Sequence, residues 1–192
     1  MSAFARQPEP MTVAEFLAWE PDDPYRYELV DGVPVAMAPA SNVHGLLQSE
    51  LTRLIGNHLR ANRPGCVVLS NPGVIPRLRP KINFRIPDLG VTCAPVAMTE
   101  NSLPEPVLLV EILSPSNQSD TMVNVWTYTT IPSLREILVL HSDRVAADLL
   151  RRSADGTWPD RTTAVEGDTL ELASIGLSLS MAALYAGLRL TD

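Results

Sequence analysis

The segment Val107-Leu-Leu-Val-Glu-Ile-Leu113 limits the folds open to this chain more than any other stretch. It is a near-continuous apolar run, the pattern of a strand buried inside a sheet. One residue breaks it. Glu111 puts a carboxylate where burial is costly without a cationic or metal partner. A second acid, Asp88, interrupts the strand-like Ile86-Pro-Asp-Leu-Gly-Val91 in the same way. If 88–92 and 107–113 pair antiparallel across the 94–106 loop, Asp88 comes to lie nearly opposite Glu111. Two adjacent carboxylates repel unless a divalent cation lies between them. Mg²⁺ suits such an oxygen site, since it takes one or two carboxylates and keeps several waters. The alternative is an Asp held by a local turn bond and a Glu paired to an arginine.

The surrounding pattern is mixed α/β (α+β). Thr12-Val-Ala-Glu15 is a capping box before a short helix that stops ahead of Pro21. Tyr25–Val30 and Val33–Met37 flank Asp31-Gly32, a tight hairpin signal. Ser41 or Asn42 caps a helix to about Arg60, with Leu47, Leu51, Leu54, Ile55 and Leu59 at helical spacing. Strands are expected at Cys66–Leu69, Arg85–Thr92, Val107–Leu113, Glu136–His141, Arg144–Arg151 and Thr169–Leu172. Helices are expected at Gln118–Tyr128 and Met181–Tyr185. The 192 residues fit one domain over 11–192, behind a loose, proline-bearing arm at 1–10.

A net charge of −7 weighs against a general nucleic-acid coat protein, yet the charge is uneven. Between Leu51 and Arg85 stand Arg53, Arg60, Arg63, Arg77, Arg79, Lys81 and Arg85, with no acid among them. That block could meet a polyanion, or be a set of solvated arginines. Cys66 and Cys93 form no metal-ligand motif and are expected to be buried free thiols. Neither a signal peptide nor an apolar run of about 20 residues is evident, so the cytoplasm is the expected location.

Pro87-Asp88, the strand Val110-Glu111-Ile112-Leu113 and the Ser114-Pro115-Ser116 after it resemble the Uma-type bacterial "putative restriction endonucleases" of the PD-(D/E)XK nuclease superfamily. Tyr27-Glu28-Leu29-Val30-Asp31-Gly32 is similar to that family's opening hairpin, and Pro39 with His44 to its next segment. Asp120 and Tyr128 match the helix after Ser-Pro-Ser, and Arg135-Glu136-Ile137-Leu138-Val139 the strand beyond it. The resemblance implies a restriction-endonuclease-like mixed sheet flanked by helices, and Mg²⁺- or Mn²⁺-dependent hydrolysis of DNA. It implies Asp88 and Glu111 as metal ligands with the Ile112 carbonyl, Glu28 as a further acid, and His44 as a group positioning water or substrate.

One departure stands out. The superfamily lysine, expected two residues after the acid, is replaced by Leu113. The Uma-type pattern often carries a lysine four residues after the aspartate that is here Asp120, and that slot holds Asn124. Asp120, Asn124 and Tyr128 share a helical face. Asparagine can hold a water but supplies no positive charge. Lys81, the one lysine of the chain, lies in the basic loop with Arg77, Arg79 and Arg85, which are expected to contact substrate phosphate. Three readings follow: an active endonuclease, a nuclease fold that binds DNA or protein without cutting, and an interaction module with structural acids. A homodimer is expected, because cutting both strands of a duplex commonly uses two sites related by a two-fold axis.

Overall fold

The computed structural model describes residues 9–97, 99–114 and 118–188. Most of the expected N-terminal arm, and the Pro115–Asn117 stop before the second long helix, lie outside these residues. The first helix, α1 (Val13–Ala18), has the capping box in place, with Thr12 accepting from the Glu15 amide and Glu15 reaching back. Strands β1 (Tyr27–Val30) and β2 (Val33–Ala36) form the hairpin. Asp31 and Gly32 both take positive φ, 49° and 82°, as the two-residue turn demands. Helix α2 (Asn42–Asn62) starts at its Ser41 cap.

The central sheet comprises β3 (Val67–Ser70), β4 (Leu89–Thr92), β5 (Pro106–Leu113), β6 (Glu136–His141), β7 (Ala147–Arg151) and β8 (Thr163–Ala164), in that spatial order. Only β5 and β6 run parallel; α3 (Gln118–Tyr128) lies in the connection between them. A second hairpin, β9 (Thr169–Leu172) with β10 (Leu177–Ser180), leads into α4 (Met181–Tyr185).

The side-chain alternation of β5 explains its continuous apolar sequence. Leu108, Val110 and Ile112 pack on the side of Leu47, Leu51, Ile55 and Leu59 from α2. Leu109 and Leu113 pack on the opposite side with Val125 and Tyr128 of α3. Glu111 belongs by parity to this second face, beneath α3. A smaller cluster of Val13, Phe16, Leu29 and Phe84 fastens α1 and the first hairpin to the 81–84 segment. Leu29 and Phe84 exchange backbone hydrogen bonds of 2.8 and 2.9 Å, and this contact brings Glu28 to the edge of the sheet.

The expected mixed sheet flanked by helices is the observed architecture. Its details differ at strand starts. The strand expected from Arg85 begins at Leu89, because Pro87 has no N–H to donate and Arg85 pairs singly with Val74. The strand expected from Arg144 begins at Ala147. Strands β8 and β10 were not expected; β8 has two residues and β10 follows closely on a Gly176 turn. The cysteine expectation is corrected. Cys66 and Cys93 are bridged. Val67 is paired with Thr92, so the flanking residues are the next cross-strand neighbours of an antiparallel ladder, and their sulfurs meet.

Candidate active site

The β4–β5 register brings the two sheet acids together. Leu89 pairs with Val110, and Asp88 and Glu111 are one residue further along each strand. Asp88 is 8% exposed and Glu111 also 8%. Asp88 Oδ2 accepts the Ile112 amide at 2.7 Å, and Oδ1 lies 3.1 Å from His44 Nε2. His44 reaches it from the first turn of α2, which Ser41 caps through the His44 amide. The other ring nitrogen, Nδ1, is buried with no hydrogen-bond partner.

Glu111 Oε1 accepts the Tyr128 hydroxyl at 2.7 Å from the end of α3. One turn earlier, the Asn124 side-chain amide donates to Glu28 Oε2 at 3.1 Å. Glu28 Oε1 accepts the Ile86 amide at 2.7 Å. Three carboxylates from β1, the start of β4 and β5 therefore lie under one face of α3. Burial pushes the Glu111 carboxyl well above its ordinary range, and the Asp88 charge pushes it further. The Tyr128 hydroxyl draws it back, and Glu28 adds to the rise. The Tyr128 phenol is itself raised, by burial first and then by the Glu111 charge, while Arg85 pulls it down.

The other expected residues are placed elsewhere or act differently. Asp120 is exposed on α3, with Ser119 Oγ 3.5 Å away. Arg79 lies 3.2 Å from Asp31 at the hairpin turn, and Lys81 is exposed in the turn that holds α1. Arg77 gives its backbone amide to Thr130 Oγ1. Arg85 is 3% exposed and donates to the Leu29 carbonyl at 2.6 Å, with Nε unpaired. It sits within electrostatic reach of the site as an interior cation.

A family model described as "Uma2: Putative restriction endonuclease" matches residues 13–182. The chain belongs to the Uma2 family. "Uncharacterized protein slr1290" of Synechocystis sp. (strain ATCC 27184 / PCC 6803 / Kazusa) is 32% identical over 176 residues, covering 91% of this chain and 90% of that protein. The fold is shared with a crystal structure described as a "putative nuclease belonging to DUF820" from Anabaena variabilis ATCC 29413. The TM-score is 0.74 at 18% identity, over 92% of this chain and 98% of that one.

The Uma2 site also contains a residue that sequence reasoning passed over. Gln48 donates through Nε2 to the Asp88 carbonyl at 2.8 Å, and to Asn71 Oδ1 at 3.2 Å. It stands one turn after His44, so the two residues hold the main chain and the carboxylate of the same aspartate. The spacing of four was readable; that both pointed at Asp88 was not.

Among the described residues, no group of three or more His, Cys, Asp or Glu is placed to hold a metal ion. A hard divalent cation does not require such a group, because one or two carboxylates with water and substrate oxygens complete its shell. The Asp88–Glu111 pair fits that chemistry. Its donors are all oxygen, and burial followed by the neighbouring Asp88 charge raises the Glu111 carboxyl. No helix among the described residues is long and apolar enough to cross a membrane.

Proposed function

We propose that this Uma2 protein is a divalent-metal-dependent endonuclease that hydrolyses DNA phosphodiester bonds. The observation that carries this reading is the juxtaposition of Asp88 and Glu111 on paired strands, buried and mutually repelling. Asp88 and Glu111, with the Ile112 carbonyl, would hold Mg²⁺ or Mn²⁺. A cation bound there supplies a Lewis acid that acidifies a water and offsets charge on the leaving oxygen.

The chain's own groups prepare the site for that role. His44 and the Ile112 amide fix the two oxygens of Asp88, so the carboxylate is oriented before any ligand arrives. Tyr128 does the same for Glu111. Glu28 and Asn124 form a polar pair beside these acids, able to hold a water by hydrogen bonds. Arg77, Arg79 and Lys81 are the groups we assign to substrate phosphates, and Arg85 supplies an interior positive charge near Tyr128. A homodimer would present two such sites to a duplex.

A second reading rests on Asn124. The slot that often carries lysine holds a neutral amide bonded to Glu28, which favours a nuclease fold that binds DNA without cutting it. Mn²⁺ calorimetry on the wild type and on Asp88→Ala with Glu111→Ala, followed by cleavage of supercoiled DNA, separates the two. Metal binding that the double variant loses, with cleavage that disappears alongside it, is expected. Metal binding without cleavage selects the second reading. A folded wild type that binds no metal removes the first.

A further inference from the structure

A cleft of about 710 Å³ opens where β6 begins and β7 ends, outside the carboxylate cluster. Residues 132–136 lead into β6, 151–156 leave β7, and Ala173-Ser174 close the rim. Glu136 stands beside Leu108, whereas Glu111 stands beside Val139. The cleft is therefore at the opposite end of the parallel strands from Glu111, about 10 Å further along β6.

Three arginines line it, and the structure holds them differently. Arg151 Nε donates to Glu136 Oε1 at 2.6 Å, and its NH2 donates to the Glu171 carbonyl. Glu136 is 1% exposed and is already engaged, since it also accepts the Ala173 and Ser174 amides at 3.2 and 2.6 Å. Arg152 has no carboxylate partner among the described residues. It donates to the Gly156 and Pro132 carbonyls at 2.7 and 2.6 Å. Arg135 is exposed and makes no ion pair among the described residues. The remaining acid, Asp155, is folded into its own turn, where the amide and hydroxyl of Thr157 hold its carboxyl below the usual range. Two guanidinium charges thus border the cleft without an acid of their own, in a chain whose net charge is −7. Ser174, 9% exposed, has its hydroxyl buried with no hydrogen-bond partner.

We infer that this cleft is a binding site for a phosphate group. The guanidinium fork matches phosphate geometry with two parallel hydrogen bonds. A phosphate has oxygens for two guanidiniums and a hydroxyl at once, whereas a carboxylate offers only two oxygens and one fork occupies both. Glu136 serves the site as an anchor: it fixes Arg151 and the 173–174 backbone, and its charge is offset by the Arg151 guanidinium. The phosphate could belong to a free nucleotide or to a nucleic-acid backbone. The site does not depend on the nuclease reading.

The test uses the full chain in EDTA, so that no divalent cation takes part. Thymidine monophosphate and a short fluorescein-labelled duplex are titrated separately into the wild type, Arg135→Gln, Arg135→Glu and Asp88→Ala. Arg135 is exposed, so its variants are expected to keep the wild-type circular dichroism. Monophosphate binding that weakens about tenfold in Arg135→Glu, with Arg135→Gln between, supports the site with a free nucleotide as its ligand. Duplex binding alone, weakened in Arg135→Glu with a shallower salt dependence, supports it with backbone phosphate as the ligand. Absence of both by folded wild type overturns the proposal, as do equal affinities in wild type and Arg135→Glu. Binding that vanishes in Asp88→Ala also overturns it, since the ligand would then be in the carboxylate cluster.

Discussion

At one end of β5 and β6 the fold gathers acids; at the other it gathers arginines, and the two groups are held in contrasting ways. Asp88, Glu111 and Glu28 are all buried and accept from amides, a phenol and an imidazole. Arg135, Arg151 and Arg152 border an open cleft, and Arg152 rests on main-chain carbonyls. An unbalanced charge in water costs little, while one taken out of water costs several kcal/mol. The acid end should therefore store instability that a cation relieves. The arginine end should be nearly neutral to folding and felt mainly by a ligand.

The largest effect should come from removing a carboxylate outright. Asp88→Ala should lower divalent-metal affinity by about a hundredfold or more, because loss of a group merely orienting a ligand already costs up to about that much. Calorimetry with Mn²⁺ reads it. An unchanged affinity would break the contrast, since the acids would then be ordinary buried polar groups.

Glu111→Gln comes next, and its sign is opposite for stability. The Glu111 carboxyl is raised above 4.5 by burial and then by Asp88. A folded-state pKa raised in this way means the native chain binds more protons than the unfolded one. Metal-free stability is then full below about pH 4.5 and declines as pH climbs through the raised value. Glu111→Gln should flatten that decline and raise the metal-free Tm at pH 8, by about 2–4 °C for each kcal/mol relieved. Thermal melts in EDTA between pH 5 and about 8 check it. Wild type and variant with parallel pH profiles would show that Glu111 already has a compensating charge.

Much of the acid end could be read from the sequence, because its signals are local. An acid in an apolar run, a second in the neighbouring run and one connecting loop were enough to set Asp88 beside Glu111. The capping residues placed α2, and with it His44, for the same reason. The arginine end was not legible. Arg135, Arg151 and Arg152 meet at the open end of the β6–β7 hairpin, where Glu136 pairs with Arg151, but Ser174 joins them from the turn of the β9–β10 hairpin, and no spacing rule links the two hairpins. The basic 51–85 block is the converse case. It is continuous in sequence, but Arg53 pairs with Glu50, Arg63 donates to the Ser174 carbonyl, Arg79 pairs with Asp31 and Arg85 is interior. The disulfide was missed because it depends on the β3–β4 register, a long-range pairing that no cysteine spacing encodes.

At the arginine end, truncation should separate anchoring from binding. Arg152→Ala removes two charge-assisted bonds to the Gly156 and Pro132 carbonyls and should cost about 1–2 kcal/mol of stability. Arg135→Ala, with no such bonds, should stay within about 0.5 kcal/mol of wild type. Urea unfolding compares them. A large loss in Arg135→Ala would mean that its charge is structural, and the two ends of the strands would no longer differ in kind.

A modest gain is expected at Asn124, and it joins activity to the electrostatics of the acid end. Asn124→Lys would place an ammonium one helical turn from Tyr128, beside Glu28. Glu28 raises the Glu111 carboxyl, so a cation paired with it should let Glu111 ionise more easily. Two readouts follow. The EDTA pH profile of the variant should flatten toward that of Glu111→Gln, even if no DNA is cut. With metal present, cleavage should rise by about 1 kcal/mol of barrier, roughly fivefold, as a charge is supplied near the reacting groups. A flattened pH profile without faster cleavage would show that the slot faces the carboxylates but not the substrate. Neither change, in a folded variant that binds metal, would show that position 124 is not the lysine slot, and the reading of an impaired nuclease would lose the observation that motivates it.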